Sequence, residues 1–155
     1  MGKVQLSEEI IGALKEVRDG GNLVHLATAT IEGKPNLVAM RFVRTHDKET
    51  VVIADMYFGK TKVNIKENTS TAISIVHPNR QKFPYIVYGK GYYAEKGSAG
   101  KAGEIWARWK DWGEKSPPTE VPEGFAPPNP SARGILYIEV EKIVKTTEEE
   151  FGKEA

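Results

Sequence analysis

Between Asn22 and Ala54 the chain reverses direction twice within a few residues each time. Asn22 to Ile31 reads as a strand and ends in Glu32-Gly33-Lys34-Pro35. Asn36 to Thr45 reads as its return and ends in His46-Asp47-Lys48-Glu49, and Thr50 to Ala54 is a third, β-branched run. A parallel crossover needs a dozen or more residues, so connections this short allow only antiparallel neighbours. The three runs are therefore expected to form an antiparallel meander.

Three more runs follow the same logic: Thr71 to His77, Tyr85 to Glu95 and Ile135 to Val144. Six strands in an open sheet would leave edges exposed, and closing them into a barrel removes those edges. The expected fold class is mainly β: a six-stranded antiparallel barrel with an N-terminal helix and inserted helices (α+β). One domain is expected over 1–155, with a frayed tail from 145 onward. The N-terminal helix spans about Leu6 to Arg18. Ser7 caps it, Glu8 and Glu9 sit in its positive first turn, and Leu6, Ile10, Leu14 and Val17 share a face. Lys60 to Asn68 has helical character, and Ala99 to Trp112 forms a second amphipathic helix that holds all three tryptophans. Six of the nine prolines lie between Pro117 and Pro130, so that segment reads as a long ordered loop.

Composition narrows the chemistry. There is no cysteine, which removes disulfides, thiolate metal sites and a cysteine nucleophile. His25, His46 and His77 have no metal-ligand spacing, so no metal site is expected. Lys and Arg total 22 against 21 Asp and Glu, and this balance argues against a dedicated nucleic-acid binder. No apolar run is long enough to cross a bilayer, and Met1 to Leu6 has no signal-peptide core, so a soluble, cytoplasmic protein is expected. The bias toward Lys and Glu is a trait of thermophile proteins.

Two stretches carry candidate chemistry. Ala54-Asp55-Met56-Tyr57-Phe58-Gly59-Lys60-Thr61-Lys62-Val63-Asn64 runs strand, loop, helix. A helix start presents unpartnered N–H groups and the positive end of the helix dipole, and Lys60, Lys62 and Thr61 add donors. Two readings stand at this point: a phosphate seat, or an ordinary helix start with solvated lysines. A relaxed phosphate-loop pattern also fits Ala54 to Thr61, but Met56, Tyr57 and Phe58 are too bulky for a glycine-rich cradle, and the strands before it are hairpins. In the second stretch, Asn36 to Arg44, strand alternation puts Leu37, Ala39, Arg41 and Val43 on one face. Val38, Met40, Phe42 and Arg44 fall on the other. Each face carries one arginine, which either snorkels to the rim or meets an anionic ligand.

The order of "LATATIEGKPNLVAMRFVR", "VVIADMYFGKTKVNIKENTSTAISIV" and "YIVYGKGYYAEKG" resembles the pyridoxamine 5'-phosphate oxidase-like FMN-binding split-barrel family. The likeness covers about Leu23 to Gly97, and Lys60, Thr61 and Asn64 (Lys-Thr-x-x-Asn) are its most specific part. The resemblance implies a split β-barrel that binds FMN. Ala39, Met40, Arg41, Phe42 and Val43 would run along the flavin, and Ala54 and Asp55 would border it. Lys60 and Thr61 would hold its phosphate, with Asn64 supporting that loop. It also implies a homodimer with two flavin sites in the subunit cleft. Trp109, backed by Trp106 and Trp112, is the candidate aromatic from the second subunit, while core packing would equally explain these rings. No Arg or His follows Arg133, so the C-terminal Arg and His signature of oxidases acting on pyridoxine phosphate is missing. No catalytic side chain stands out. The reading is an FMN-dependent oxidoreductase of open substrate, flavin reductase-like or pyridoxamine phosphate oxidase-related, with a small-molecule electron donor or acceptor as its partner. The alternatives are a flavin carrier or electron-transfer module, a deazaflavin protein using Arg80 and Lys82, and a haem protein using His77.

Overall fold

The computed structural model describes residues 4–19, 24–40, 43–55, 59–75, 85–111 and 133–145. Three helices and seven strands alternate along it: α1 (Glu8–Asp19), β1 (Val24–Ala29), β2 (Pro35–Met40), β3 (Val43–Asp47), β4 (Thr50–Asp55), α2 (Lys60–Glu67), β5 (Ser70–Ile75), β6 (Tyr85–Ala94), α3 (Gly100–Trp109) and β7 (Gly134–Lys145). All strand pairs are antiparallel, and the sheet order is β2-β1-β5-β6-β7-β4-β3.

That order forces the sheet to curl. β2 and β3 are its two edges, yet only two residues separate Met40 from Val43. Three Cα steps reach at most about 11 Å. Seven strands laid flat would put their outermost members roughly 29 Å apart, at about 4.8 Å per strand. The sheet therefore bends round until its edges meet at this corner. The bend has a local device in β6, where the register shifts at Tyr88/Gly89. A Cβ on Gly89 would overlap the Glu139 carbonyl oxygen of β7, so only glycine permits the approach.

This corner corrects two sequence expectations. Asn36 to Thr45 is not one strand but β2 and β3 on opposite edges, so there are seven strands rather than six; both expected antiparallel pairings form, β1 with β2 and β3 with β4, but at the two ends of the sheet order. The side chains show why. Val38 and Met40 face the core while Leu37 and Ala39 face out, as alternation requires. Val43 is nonetheless fully buried in that same core, three residues after Met40. In one continuous strand, positions three apart would face opposite ways.

The inner face of the sheet and α1 share the main core. Ile10 and Leu14 of α1, with Leu6 just before it, pack with Val24, Leu26, Val51, Ile53, Ile73, Val87, Leu136 and Ile138. Ser7 Oγ accepts a hydrogen bond from the Ile10 amide at 3.3 Å, the cap read from the sequence. A second core lies on the outer face, where Ile105, Trp106 and Trp109 of α3 cover Val52, Ala54, Ala94, Ile135 and Tyr137. The proline-rich segment, His77, Arg80, Lys82, Trp112 and the tail lie outside the described residues.

Candidate functional site

The site builds from α2, which packs against β1 and β6 and reaches β2 through one hydrogen bond. Its docking is mostly polar. Asn36 on β2 donates its amide N–H to the Thr61 hydroxyl at 3.3 Å. Asn64 donates to the hydroxyl of Thr28 on β1 at 3.1 Å, and Asn68, just past the helix, donates to the Thr30 carbonyl at 3.1 Å. Positions 61, 64 and 68 fall on one helix face by their spacing. Thr61, Asn64 and Thr28 are all buried, so each hydrogen bond replaces water that burial removed. Ile65 is the one fully apolar anchor of the helix, and Val63 stands 57% exposed.

The start of this helix is left open. Gly59 occupies the N-cap with no side-chain capping bond, and the first turn holds no acidic residue. Lys60 is exposed beside these amides. Lys62 lies 4.7 Å from the centre of the Tyr93 ring and 3.9 Å from the Glu95 carboxylate, and Lys66 lies 5.7 Å from the same ring. The ring face attracts both ammonium groups and limits where they can sit. The result is a helix N-terminus with Lys60 and Lys62 in its first turn and no carboxylate of its own there, Glu95 being the nearest anion to Lys62 among the described residues, an arrangement suited to a phosphate.

Beneath it lies a buried lock. Asp55, at the end of β4, is fully buried. Tyr93 donates its hydroxyl to Asp55 Oδ2 at 2.5 Å. Arg133 donates from NH2 to Oδ1 at 2.9 Å and from its backbone amide to the Asp55 carbonyl at 2.9 Å. Burial first, and then the Asp55 carboxylate, push the Tyr93 phenol well above its ordinary range, so it stays a neutral donor. Gly134 faces this phenol, and a Cβ there would collide with it. The lock fixes the end of β4, from which the chain leads to Gly59 and α2.

The structure thus brings Lys60, Thr61, Asn64 and Asp55 to one end of the fold, with β2 alongside. It also assigns different work to some of them. The Thr61 hydroxyl is buried and bonded to Asn36, so it positions the helix. Ala54 points to the outer face, under α3, opposite to Asp55. Ala39 is exposed on β2, while Met40 and Val43 face the core. Trp109 packs on its own chain's outer core and donates its indole N–H to His46 Nδ1 at 3.3 Å. Arg41 and Phe42 lie outside the described residues. Residues not singled out from sequence are Asn36, Thr28, Asn68, Tyr93, Arg133 and Lys66. The polar repeat Thr61, Asn64, Asn68 at helical spacing was the signal available for α2's docking face.

The sequence profile of the pyridoxamine 5'-phosphate oxidase family matches residues 10–146. The chain belongs to that family. An uncharacterized protein of Methanocaldococcus jannaschii is 35% identical over 103 residues, which cover 65% of this chain and 64% of that protein, so the match spans less than two thirds of that protein. HupZ of Group A Streptococcus superposes with a TM-score of 0.70 at 20% identity, covering 97% of this chain and 98% of that one. A pyridoxamine 5'-phosphate oxidase-related, FMN-binding protein of Nostoc punctiforme gives 0.60 at 17% identity, covering 92% and 84%. At these identities the two solved structures share the fold. Membership in the pyridoxamine 5'-phosphate oxidase family thus agrees with the curled antiparallel sheet and with the likeness read from the Lys60 region.

Proposed function

We infer that this chain binds FMN with its phosphate at the N-terminus of α2, and that it acts as an FMN-dependent oxidoreductase. The observation that carries the reading is the open, lysine-flanked start of a helix whose opposite face is fixed by three side-chain hydrogen bonds. The residues fit the group. The first-turn amides of α2, which a helix leaves without intrahelical partners, and the ammonium of Lys60 would take the phosphate, and no carboxylate in the first turn competes with it. Lys62 would add charge from its place over Tyr93. Thr61 would contribute its backbone N–H, because its hydroxyl is committed to Asn36. Bound FMN supplies redox chemistry at its ring system, and the protein's task is to hold and orient it. The chain's own part is to fix the phosphate end rigidly, through Asn64 and the Asp55 lock.

The functional unit we propose is a homodimer with the flavin in the subunit cleft. What supports it is the outer face of β2, β1 and β5. These strands read Pro35–Met40, Val24–Ala29 and Ser70–Ile75, and they contain no Asp, Glu, Lys or Arg. Leu37 stands 66% exposed on the edge strand, and Ala39 and His25 are also exposed. Soluble proteins protect an edge strand with charge, proline or a covering element, and β2 has only Pro35, at its first position, which leaves Asn36 to Met40 without such protection among the described residues. A second copy would provide that cover, and sedimentation should give twice the mass of the chain.

The test of the cofactor is the visible spectrum of the purified protein, with identification of whatever acid releases from it. Flavin bands and released FMN are the expected result. A colourless protein that does not take up added FMN would remove the reading. A released deazaflavin would keep the phosphate seat and change the cofactor. Among the described residues no helix is long and apolar enough to cross a membrane.

A further inference from the structure

On the far side of the sheet from the flavin seat, α3 ends against the β3–β4 turn in a compact polar joint. Arg108 donates to the His46 carbonyl at 2.7 Å, and the same nitrogen lies 3.3 Å from His46 Nδ1. Trp109 donates its indole N–H to that Nδ1 at 3.3 Å. The Arg108 guanidinium also stacks over the Trp109 ring, 4.7 Å from its centre. Indole and guanidinium are donors only, so Nδ1 can serve both only as an acceptor. The imidazole is therefore neutral in this joint and carries its proton on Nε2.

We propose that His46 is an acid-sensitive latch: its neutral ring holds the last turn of α3 on the sheet, and protonation at Nδ1 releases it. Protonation would remove the acceptor that Trp109 uses. It would also set an imidazolium against the Arg108 guanidinium. The groups facing the ring come from two elements, Asp47 beside it on β3, and Arg108, Lys101 and Glu104 from α3. Asp47 and Glu104 favour the charged ring, while Arg108 and Lys101 oppose it. Burial, and then Arg108, prevail and hold His46 below its ordinary value of 6.5. The folded protein therefore binds this proton less readily than the unfolded chain does. The joint's contribution is complete above pH 6.5 and is lost as pH falls from there toward the folded value. Ile105 is fully buried one turn earlier, so α3 loosens from its C-terminal end and stays anchored at its middle. Trp106 and Trp109, which flank the outer core, are the side chains this motion uncovers.

The experiment is a pH titration of the full chain from 8 to 5, followed by the indole N–H signal of Trp109 and the ring signals of His46. Trp109→Phe assigns the indole signal. In the wild type the two signals should move together, with one midpoint below 6.5. In His46→Asn the amide oxygen keeps an acceptor near the place of Nδ1 but does not titrate, so the Trp109 signal should stay constant over the same range. A Trp109 signal that is flat in the wild type, or that titrates unchanged in His46→Asn, overturns the latch. Should that variant not fold, the wild-type His46 midpoint decides, because a value at or above 6.5 contradicts a ring held neutral by the joint. FMN plays no part in this readout, so the latch and the flavin seat stand or fall separately.

Discussion

The two helices that follow the first four strands are attached to the sheet by opposite means. α3 lies on the outer face and buries an apolar stripe, Ile105 with Trp106 and Trp109, against Val52, Ala54, Ile135 and Tyr137. α2 is held by Thr61, Asn64 and Ile65, and two of these three act through hydrogen bonds to strands. Apolar docking is strong but non-directional. Hydrogen bonds contribute less but fix an angle. A helix that must aim its first turn at a ligand gains from the second kind of attachment. The lysines show the same division. Lys60 stands exposed at the start of α2 and Lys62 is held only by a loose 3.9 Å pair with Glu95, whereas Lys101 of α3 is tied to Thr50 at 2.9 Å and Glu139 at 3.5 Å.

The largest effect expected from this contrast is in α3. Ile105→Ala removes a fully buried side chain and should cost ~2–5 kcal/mol of stability in denaturant unfolding, with FMN affinity of the folded fraction unchanged. An equal loss of affinity would mean that the two helices are not separable. In α2 the sign reverses. Lys60→Ala with Lys62→Ala should leave stability within ~0.5 kcal/mol, since neither side chain is buried. The same pair should weaken FMN binding by about 1.5–3 kcal/mol, read by titration. Asn64→Ala is intermediate: it leaves Thr28 without its partner and should cost ~1–2 kcal/mol, with a several-fold drop in FMN affinity as the helix loses its orientation. The smallest change is Tyr93→Phe, which keeps the ring under Lys62 and removes one donor from Asp55. A loss of ~1 kcal/mol is expected, with the FMN affinity nearly retained.

How far the sequence foretold this depends on the distance between partners. The cap at Ser7, the apolar face of α1 and the start of α2 at Lys60 are local, and they were readable from spacing alone. The change of edge between Met40 and Val43 was not, because the strand-like alternation of the sequence runs on through it and the change is a consequence of closing the sheet. Lys60, Thr61 and Asn64 stood out as a motif, but the work of two of them did not. Their partners Asn36 and Thr28 lie 25 and 36 residues away. The Asp55 lock joins residues 38 and 78 positions apart across three strands, and no local pattern marks it. Trp109 drew attention as an aromatic on an amphipathic helix, and its hydrogen bond to His46 depends on the end of a strand 63 residues earlier.

The claim that matters most is that the start of α2 holds the phosphate of FMN. Titrating FMN and riboflavin, which differ by that phosphate, into the flavin-free protein and into Lys60→Ala/Lys62→Ala tests it directly. The expected result is that the wild type prefers FMN by roughly tenfold or more, the equivalent of one charge-assisted hydrogen bond, and that the preference collapses in the double variant. Equal binding of the two flavins by the wild type, or an undiminished preference in the double variant, would contradict it.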